Sequence, residues 1–489
     1  MGDNPNVVYL FDDHSVLKEY EDLKQTFSQY PVYLPINSRD QWKDSNSALD
    51  IKIPAQKNPP SSWASLLRSK DYVPPTTTTK ISTNTSSSKS KKKKSLKDLL
   101  IKWSLKKNHV LFKPRGLENT GNMCFMNVVL QVLVYCDYFY SLLIDIQKTV
   151  AFRFNSSIPL IESLIMFVKE FKPVTDSFEI NEFDPPFVPT YVYDALRKKK
   201  IFQTSRGQQE DAQEFLGHLI NGMHDELLHV LNTEKDGATK QNNSLGFASP
   251  INSLSPERES AAGSNNALIP PTSSTWQEVG KKNKTGITRS VEFAQTPISS
   301  IFGGYMRSEL KIPGSKTSIT IEPFQNLAID ISSPEVSDLD DALGSLFSPE
   351  VIEGYTNSSG VVVNATKQQF LDEAPNVLFI ILNRVVYTPE LGIHKLNKFI
   401  SYSKNLTIPK KWISPPKRSK SSDVHYTLSS VLYHHGLLAS GGHYTCDVNR
   451  RPDEWLRFDD TEILNDLSLK EVLSEKEDRN AYVLVYTKE

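Results

Sequence analysis

The chain has 489 residues, of which 38% are hydrophobic, 10% aromatic and 23% charged, so collagen, coiled coil and pure linker are excluded and most of it is expected to fold. With 56 Lys+Arg against 57 Asp+Glu, no global field draws it to nucleic acid or anionic lipid, and electrostatic recognition has to be local. Three cysteines, Cys124, Cys136 and Cys446, supply neither a disulfide framework nor a four-thiolate zinc site, which fits a reducing compartment.

In chain order, residues 1 to about 95 are polar and proline-interrupted and end in a Ser/Thr/Lys tract, a composition that buries too little surface to order itself. Two apolar islands inside it, Val7 to Phe11 and Pro60 to Arg68, read as short docking motifs, and Lys91 to Lys94 as a nuclear-import signal or a solvated tail. No basic-then-apolar leader and no long apolar stretch occurs, so neither secretion nor membrane insertion is expected. Leu96, Leu99, Leu100 and Trp103 recur at helical spacing and open the folded part. One buried helix is predicted from Cys124 to about Leu143 and another over Ile158 to Phe171. A third carries Phe215, Leu219, Met223, Leu227 and Leu231 every four residues, with Gln209, Glu210 and Asp211 at its dipole-favoured start.

Residues 232–274 collapse into Ser, Asn, Pro and Gly and read as a flexible insertion. Strands are predicted at Ile319 and Ile321, Val377 to Leu382, Tyr426 to Tyr433, His443 to Val448, Trp455 to Phe458 and Ala481 to Tyr486. Helices first and strands after predict an α+β protein with segregated layers.

Chemistry concentrates at two places far apart in the chain. In Gly116 to Gln131 a Gly/Asn-rich turn feeds an apolar helix with Cys124 at the junction. A thiol so placed feels the positive helix end, which can lower its pKa from about 8.5 into the range ~3.5–7.5. Cys136 and Cys446 read as inert packing groups. A nucleophilic thiolate needs a proton carrier, and the carrier needs an orienting group. His443 follows Gly441 and Gly442, whose missing side chains would let a substrate backbone pass. Asp459 and Asp460 end the next predicted strand. A tight antiparallel return can set one of these carboxylates against the imidazole, and the sequence leaves open which.

Gly116 to Gln131 resembles the cysteine box of the ubiquitin-specific proteases. Tyr426 to Tyr444, with Trp455 to Asp460 and Ala481 to Tyr486, resembles their histidine box, and Gly207 to Leu216 an intermediate motif. The likeness covers roughly Phe112 to Glu489. Within the family, the segments around Trp63, Trp276 and Gln295 to Gly304 resemble the branch of animal ubiquitin-specific protease ten and yeast protease three.

The resemblance implies a papain-like fold with helical thumb, β palm and β fingers over 96–489, and hydrolysis of the bond between the C-terminal glycine of ubiquitin and a substrate lysine. It makes Cys124 the nucleophile, His443 the base and then acid, Asp459 the orienter with Asp460 as rival, and Asn119 the oxyanion donor. Asp211 and Glu214 would meet the basic ubiquitin tail, Gly441 and Gly442 would narrow its channel, and Tyr444 would pack along it. It implies ubiquitin and ubiquitinated proteins as partners and an adaptor with a nuclear-transport-factor-like domain docking before residue 95; the cysteine usage gives a cytoplasmic expectation, with nuclear entry through Lys91 to Lys94 as the alternative.

Two departures stand out. Met123 replaces the usual Thr before the nucleophile, with activity expected to survive. Lys311, Gly314, Asn357 and Gly360 stand where relatives carry paired zinc-binding cysteines, so no metal or other cofactor is expected. A catalytically silent ubiquitin scaffold and a regulatory adaptor are the competing readings.

Overall fold

The computed structural model describes residues 95–149, 156–175, 182–198, 209–233, 274–279, 286–291, 294–357, 359–389, 391–438, 441–476 and 479–489. The two apolar islands, the lysine run and nearly all of the 232–274 insertion lie outside these residues. Among the described residues no single helix is long and apolar enough to cross a membrane.

Helix α1 (Leu96–Lys102) begins at Ser95, whose hydroxyl accepts from Asp98 N while the Asp98 carboxylate accepts from Ser95 N, so two otherwise orphaned donors are satisfied. The short strand β1 (Arg115–Leu117) leads into α2 (Cys124–Val134). The single helix expected to reach Leu143 is two: α3 (Asp137–Gln147) leaves α2 at 81°. Cys136 adopts an extended backbone at the break (ψ 103°), which ends the α2 ladder, and Asp137 restarts a helix from its dipole-favoured first turn. Cys136 is therefore a junction residue, not a helix-interior one.

Helices α4 (Pro159–Lys169), α5 (Thr190–Lys198) and α6 (Ala212–Asn232) complete the thumb, with β2 (Asp184–Phe187) pairing parallel to β1. The start of α4 has no cap of its own. Glu226, buried in α6, accepts from Leu160 N at 2.8 Å and Ile161 N at 2.9 Å, an anion at a helix N-terminus supplied by a neighbouring helix.

The palm is an eight-stranded sheet. Its order is β17 (Glu462–Leu467), β16 (Glu454–Asp459), β15 (His443–Arg451), β14 (Val424–His435), β18 (Asn480–Lys488), β10 (Val377–Asn383), β7 (Asn326–Asp330), with β13 (Asn405–Ile408) beside β14. Val377, Phe379 and Ile381 of β10 join the core shared with the thumb, whereas Leu378, Ile380 and Leu382 join a second core on the opposite face, with Leu339 and Leu343 of α8 (Leu339–Phe347). Burial on both faces explains why the segment reads as an uninterrupted apolar run. Helix α7 (Pro297–Phe302) and α8 lie between strands, so helices and strands interleave in mid-chain more than composition suggested.

The fingers are six strands in the order β3 (Ser274–Val279), β4 (Gly286–Val291), β6 (Ser318–Phe324), β5 (Gly304–Lys311), β9 (Val362–Glu373), β8 (Glu350–Thr356). Of the positions that stand for zinc ligands, Lys311 ends β5 and Gly314 lies in the β5–β6 turn, while Asn357 and Gly360 lie in the β8–β9 turn at the same end of this sheet. There Asn357 Oδ1 accepts from Ser359 N and Val361 N, both at 3.0 Å, so that turn closes on an amide side chain. A hairpin, β11 (Val385–Thr388) with β12 (Gly392–Lys395), projects beyond β10.

Candidate active site

The turn before α2 places Gly121 and Asn122 at φ 88° and 58°, left-handed values that Gly and Asn accept at low cost. This reversal delivers Cys124 as the first residue of α2, where backbone N–H groups have no intrahelical acceptor. The thiol is 2% exposed. From the other end of the chain, β14 and β15 pair His435 with His443, and β15 pairs with β16, so the sheet carries His443 and Asp459 to the same rim.

His443 Nε2 meets Asp459 Oδ1 at 2.6 Å, leaving Nδ1 as the ring nitrogen for the thiol. The imidazole pKa is raised from the ordinary 6.5 to about 9, first by its hydrogen bond with Cys124 and, against desolvation, by the hydrogen bond with Asp459. Burial pushes the Cys136 thiol up to about 12 and the Cys446 thiol well above its usual value, consistent with both being inert.

Asp460 takes another direction. It sits at φ 50° in the turn between β16 and β17, and that left-handed backbone swings its carboxylate off the line of Asp459. Its two oxygens accept from Asn119 Nδ2 at 2.9 Å and Asn127 Nδ2 at 2.8 Å. Asn119 Oδ1 accepts in turn from Met123 N at 2.8 Å, and Tyr193 Oη donates to Asn127 Oδ1 at 3.2 Å. The two carboxylates thus divide between the imidazole and the amide network.

Strand β1 locks onto the same turn. Leu117 N donates to Asp460 O at 2.8 Å, and a Cβ on Gly116 would lie 2.7 Å from Thr461 O, so only glycine permits this approach.

The remaining expected site residues are distributed unevenly. Asp211 caps α6, its Oδ1 accepting from Gln213 N at 2.8 Å and Glu214 N at 3.1 Å while Tyr482 Oη donates to Oδ2 at 2.7 Å. Glu214 is exposed, with His218 Nε2 at 3.5 Å. Tyr444, which the sequence allows as a channel or a core residue, is 4% exposed with its ring 4.7 Å from that of His434, because alternation along β15 turns it inward next to outward His443.

Gly441 is open: a Cβ there would meet nothing within 4 Å. Gly442 is glycine for a different reason. A Cβ there would meet its own sheet, His435 O at 2.2 Å.

Gln209 is not among the site residues expected from the sequence, yet its amide spans the cleft. Its Nε2 lies 3.9 Å from Cys124 Sγ and donates to Gly442 O, while Oε1 accepts from Gly442 N at 3.2 Å. The signal for it in the sequence is its place in the Gly207 to Leu216 motif. Asn127 is a second such residue, although an amide on an all-apolar helix is itself a signal. Among the described residues the group whose ligand atoms lie close enough for a cation is His443, Asp459 and Asp460, within 4.8 Å of one another. A cation there would have to displace the imidazole contact and the two asparagine donors.

A thiol at a helix start, an imidazole and a carboxylate joined across a thumb and a β palm define a papain-like thiol hydrolase. A sequence profile of the ubiquitin carboxyl-terminal hydrolase family matches residues 115–486. The probable ubiquitin carboxyl-terminal hydrolase 3 of Schizosaccharomyces pombe is 37% identical over 395 residues, 77% of this chain and 74% of that protein. Ubiquitin carboxyl-terminal hydrolase 10 of Rattus norvegicus is 36% identical over 408 residues, 80% of this chain and 50% of that protein; this chain therefore spans about half the length of that animal relative.

Among solved structures, the SAGA DUB module of Ubp8, Sgf11, Sus1 and Sgf73 bound to monoubiquitin matches with TM-score 0.55 and 21% identity, covering 80% of this chain and 73% of the other. That likeness supports the fold. The chain belongs to the ubiquitin carboxyl-terminal hydrolase family.

Proposed function

We propose that this protein is a cysteine-type deubiquitinase that hydrolyses the bond between the C-terminal glycine of ubiquitin and a substrate lysine. The observation that carries the reading is the His443 imidazole held between the Cys124 thiol and Asp459, with Asp459 Oδ1 at 2.6 Å. In the proposed sequence the thiolate of Cys124 attacks the glycine carbonyl, and the C–S bond forms as the carbonyl electrons move onto oxygen. The C–N bond then breaks, His443 gives its proton to the departing lysine amine, and a thioester remains. Neutral His443 next takes a proton from water, which attacks the thioester and releases ubiquitin and the thiol.

Charge on the oxygen is greatest in the two tetrahedral intermediates. The donors proposed for it are the backbone N–H of Cys124 and the Asn119 amide. A primary amide carries two N–H bonds; one of Asn119's is held by Asp460, which fixes the plane of the amide and so aims the second. Preorganised donors of this kind are usually the largest catalytic contribution. Asp459 keeps the imidazole oriented and favours its charged form.

The same reading takes ubiquitin as the partner at the cleft, with Asp211 and Glu214 offering negative charge to the basic tail. It extends to an adaptor of nuclear-transport-factor-like fold docking before residue 95, and to cytoplasmic action with a nuclear fraction. Support for the adaptor is the resemblance to the protease ten and three branch. The deciding experiment uses ubiquitin bearing a C-terminal propargylamide: an adduct mapped to Cys124, abolished by Cys124→Ala with ubiquitin binding retained, is expected. An adduct elsewhere, or none, would overturn the assignment. Removing residues 1–94 is expected to abolish adaptor binding and leave hydrolysis intact.

A further inference from the structure

Lys395 ends β12 and is 7% exposed. A buried ammonium is costly unless it is compensated, and among the described residues this one makes no ion pair with a carboxylate. Its Nζ instead donates to two backbone carbonyls, His434 O at 3.0 Å and Gly436 O at 2.6 Å. Burial and then the nearby Arg384 guanidinium push its pKa down to about 8, so the donor remains an ammonium at neutral pH. A Met or Leu would fill similar space without this desolvation cost. The position therefore uses the charge-assisted hydrogen bonds themselves.

Those two carbonyls belong to the chain on which the glycine wall rests. A Cβ on Gly436 would lie 3.4 Å from Gly442 Cα and 3.5 Å from Gly441 O, and one on Gly442 would lie 2.2 Å from His435 O. The backbones of His435–Gly436 and Gly441–Gly442 are thus in direct contact, and the His434 ring packs on Gly442 as well, where a Cβ would lie 2.5 Å from its Nε2. Next in line, Gly442 meets Gln209, whose amide reaches Cys124, and His443 follows immediately. Asn397 adds a weaker tie in the same direction, donating to Leu437 O at 3.4 Å.

We propose that Lys395 is a positioning residue for the ubiquitin tail, its ammonium fixing the end of β14 so that Gly441 and Gly442 stand at the right distance from Cys124. Lys395 touches neither the substrate nor the reacting atoms. It acts through the Gly436 carbonyl. Two charge-assisted hydrogen bonds, the one to Gly436 O short, are strong enough to select one backbone position, and productive geometry at a reacting centre tolerates little displacement. The inference rests on the deubiquitinase reading, because it assigns the glycine wall to the ubiquitin tail.

The test compares wild type, Lys395→Met and Lys395→Arg in the full chain, using ubiquitin with a C-terminal fluorogenic amide. It adds iodoacetamide alkylation of Cys124, a reagent too small to need the wall, and hydrogen exchange of a peptide spanning 434–444. Lys395→Met is expected to raise KM about tenfold with kcat lowered by less, to leave the alkylation rate within twofold, and to speed exchange in that peptide. Lys395→Arg, which keeps a charged donor, should recover at least half of the lost kcat/KM. If Lys395→Met keeps wild-type KM and exchange, or loses kcat, alkylation and melting temperature together, Lys395 has no positioning role. Absence of wild-type turnover would instead defeat the deubiquitinase reading, with the exchange comparison still testing the tether.

Discussion

Replacing Asp459 by Asn isolates the contact that assigns the orienting group. Asp459 Oδ1 lies 2.6 Å from His443 Nε2, and the two side chains are 47% and 38% exposed. A hydrogen bond to a charged partner is worth ~1.5–3 kcal/mol. Solvent screening at this exposure argues for the lower end, so loss of the contact should cost about 1.5 kcal/mol, or roughly tenfold in kcat/KM. A second loss follows from chemistry. An asparagine can turn its N–H toward Nε2, which places the ring proton on Nδ1, facing the thiol, and removes the base; together the two effects predict a fall of about 10- to 100-fold at neutral pH.

The pH profile makes the assignment specific. His443 titrates near 9, so the imidazolium needed to protonate the amine is lost as pH rises through that value, and wild-type activity should decline there. Without Asp459 the decline should begin at lower pH, moving toward the ordinary 6.5. The assay is kcat/KM with a fluorogenic ubiquitin amide from pH 5.5 to 10, run beside Asp460→Asn, which should lower the rate without moving the alkaline decline. An unmoved decline in Asp459→Asn together with a shifted one in Asp460→Asn would refute the division of labour between the two carboxylates.

Asn119→Ala should lower kcat by ~100- to 1000-fold, the ~2.7–4 kcal/mol typical of an oxyanion donor, with KM nearly constant in steady-state kinetics. Glu226→Ala should cost about 2–4 kcal/mol in urea unfolding, since it strands the N–H groups of Leu160 and Ile161 in the core. His224, 2% exposed, has its pKa lowered by burial to about 4, so the unfolded chain takes up a proton at higher pH than the folded one. Stability should therefore fall as pH drops from 6.5 toward 4, by about 3 kcal/mol from this group. His224→Gln should flatten that part of the curve in unfolding measured at stepped pH.

Local chemistry made much of the site legible in the sequence. Gly121 and Asn122 before an apolar run specify a turn into a helix, which puts Cys124 at the helix start wherever the rest of the chain lies. Alternation and β-branching placed the strands carrying His443 and Asp459, and a tight antiparallel return between them allowed one carboxylate to approach the imidazole. The apolar runs at Val377 to Leu382 and Ala481 to Tyr486 read as strands, and the structure buries both on two faces.

Tertiary structure decided what depends on groups distant in the chain. Asp459 and Asp460 are chemically identical neighbours, and the fold tells them apart by the left-handed turn at Asp460 and by Asn119 and Asn127, 341 and 333 residues away, which donate to that carboxylate. Tyr444 reads equally well as a channel residue or a core residue until His434 packs against it. The cap on α4 comes from Glu226, 66 residues beyond Leu160, and the anchor under Gly436 comes from Lys395 on another hairpin. Propensity and periodicity act over a few residues, whereas a hydrogen-bond donor is satisfied by whichever acceptor the fold brings within about 3 Å.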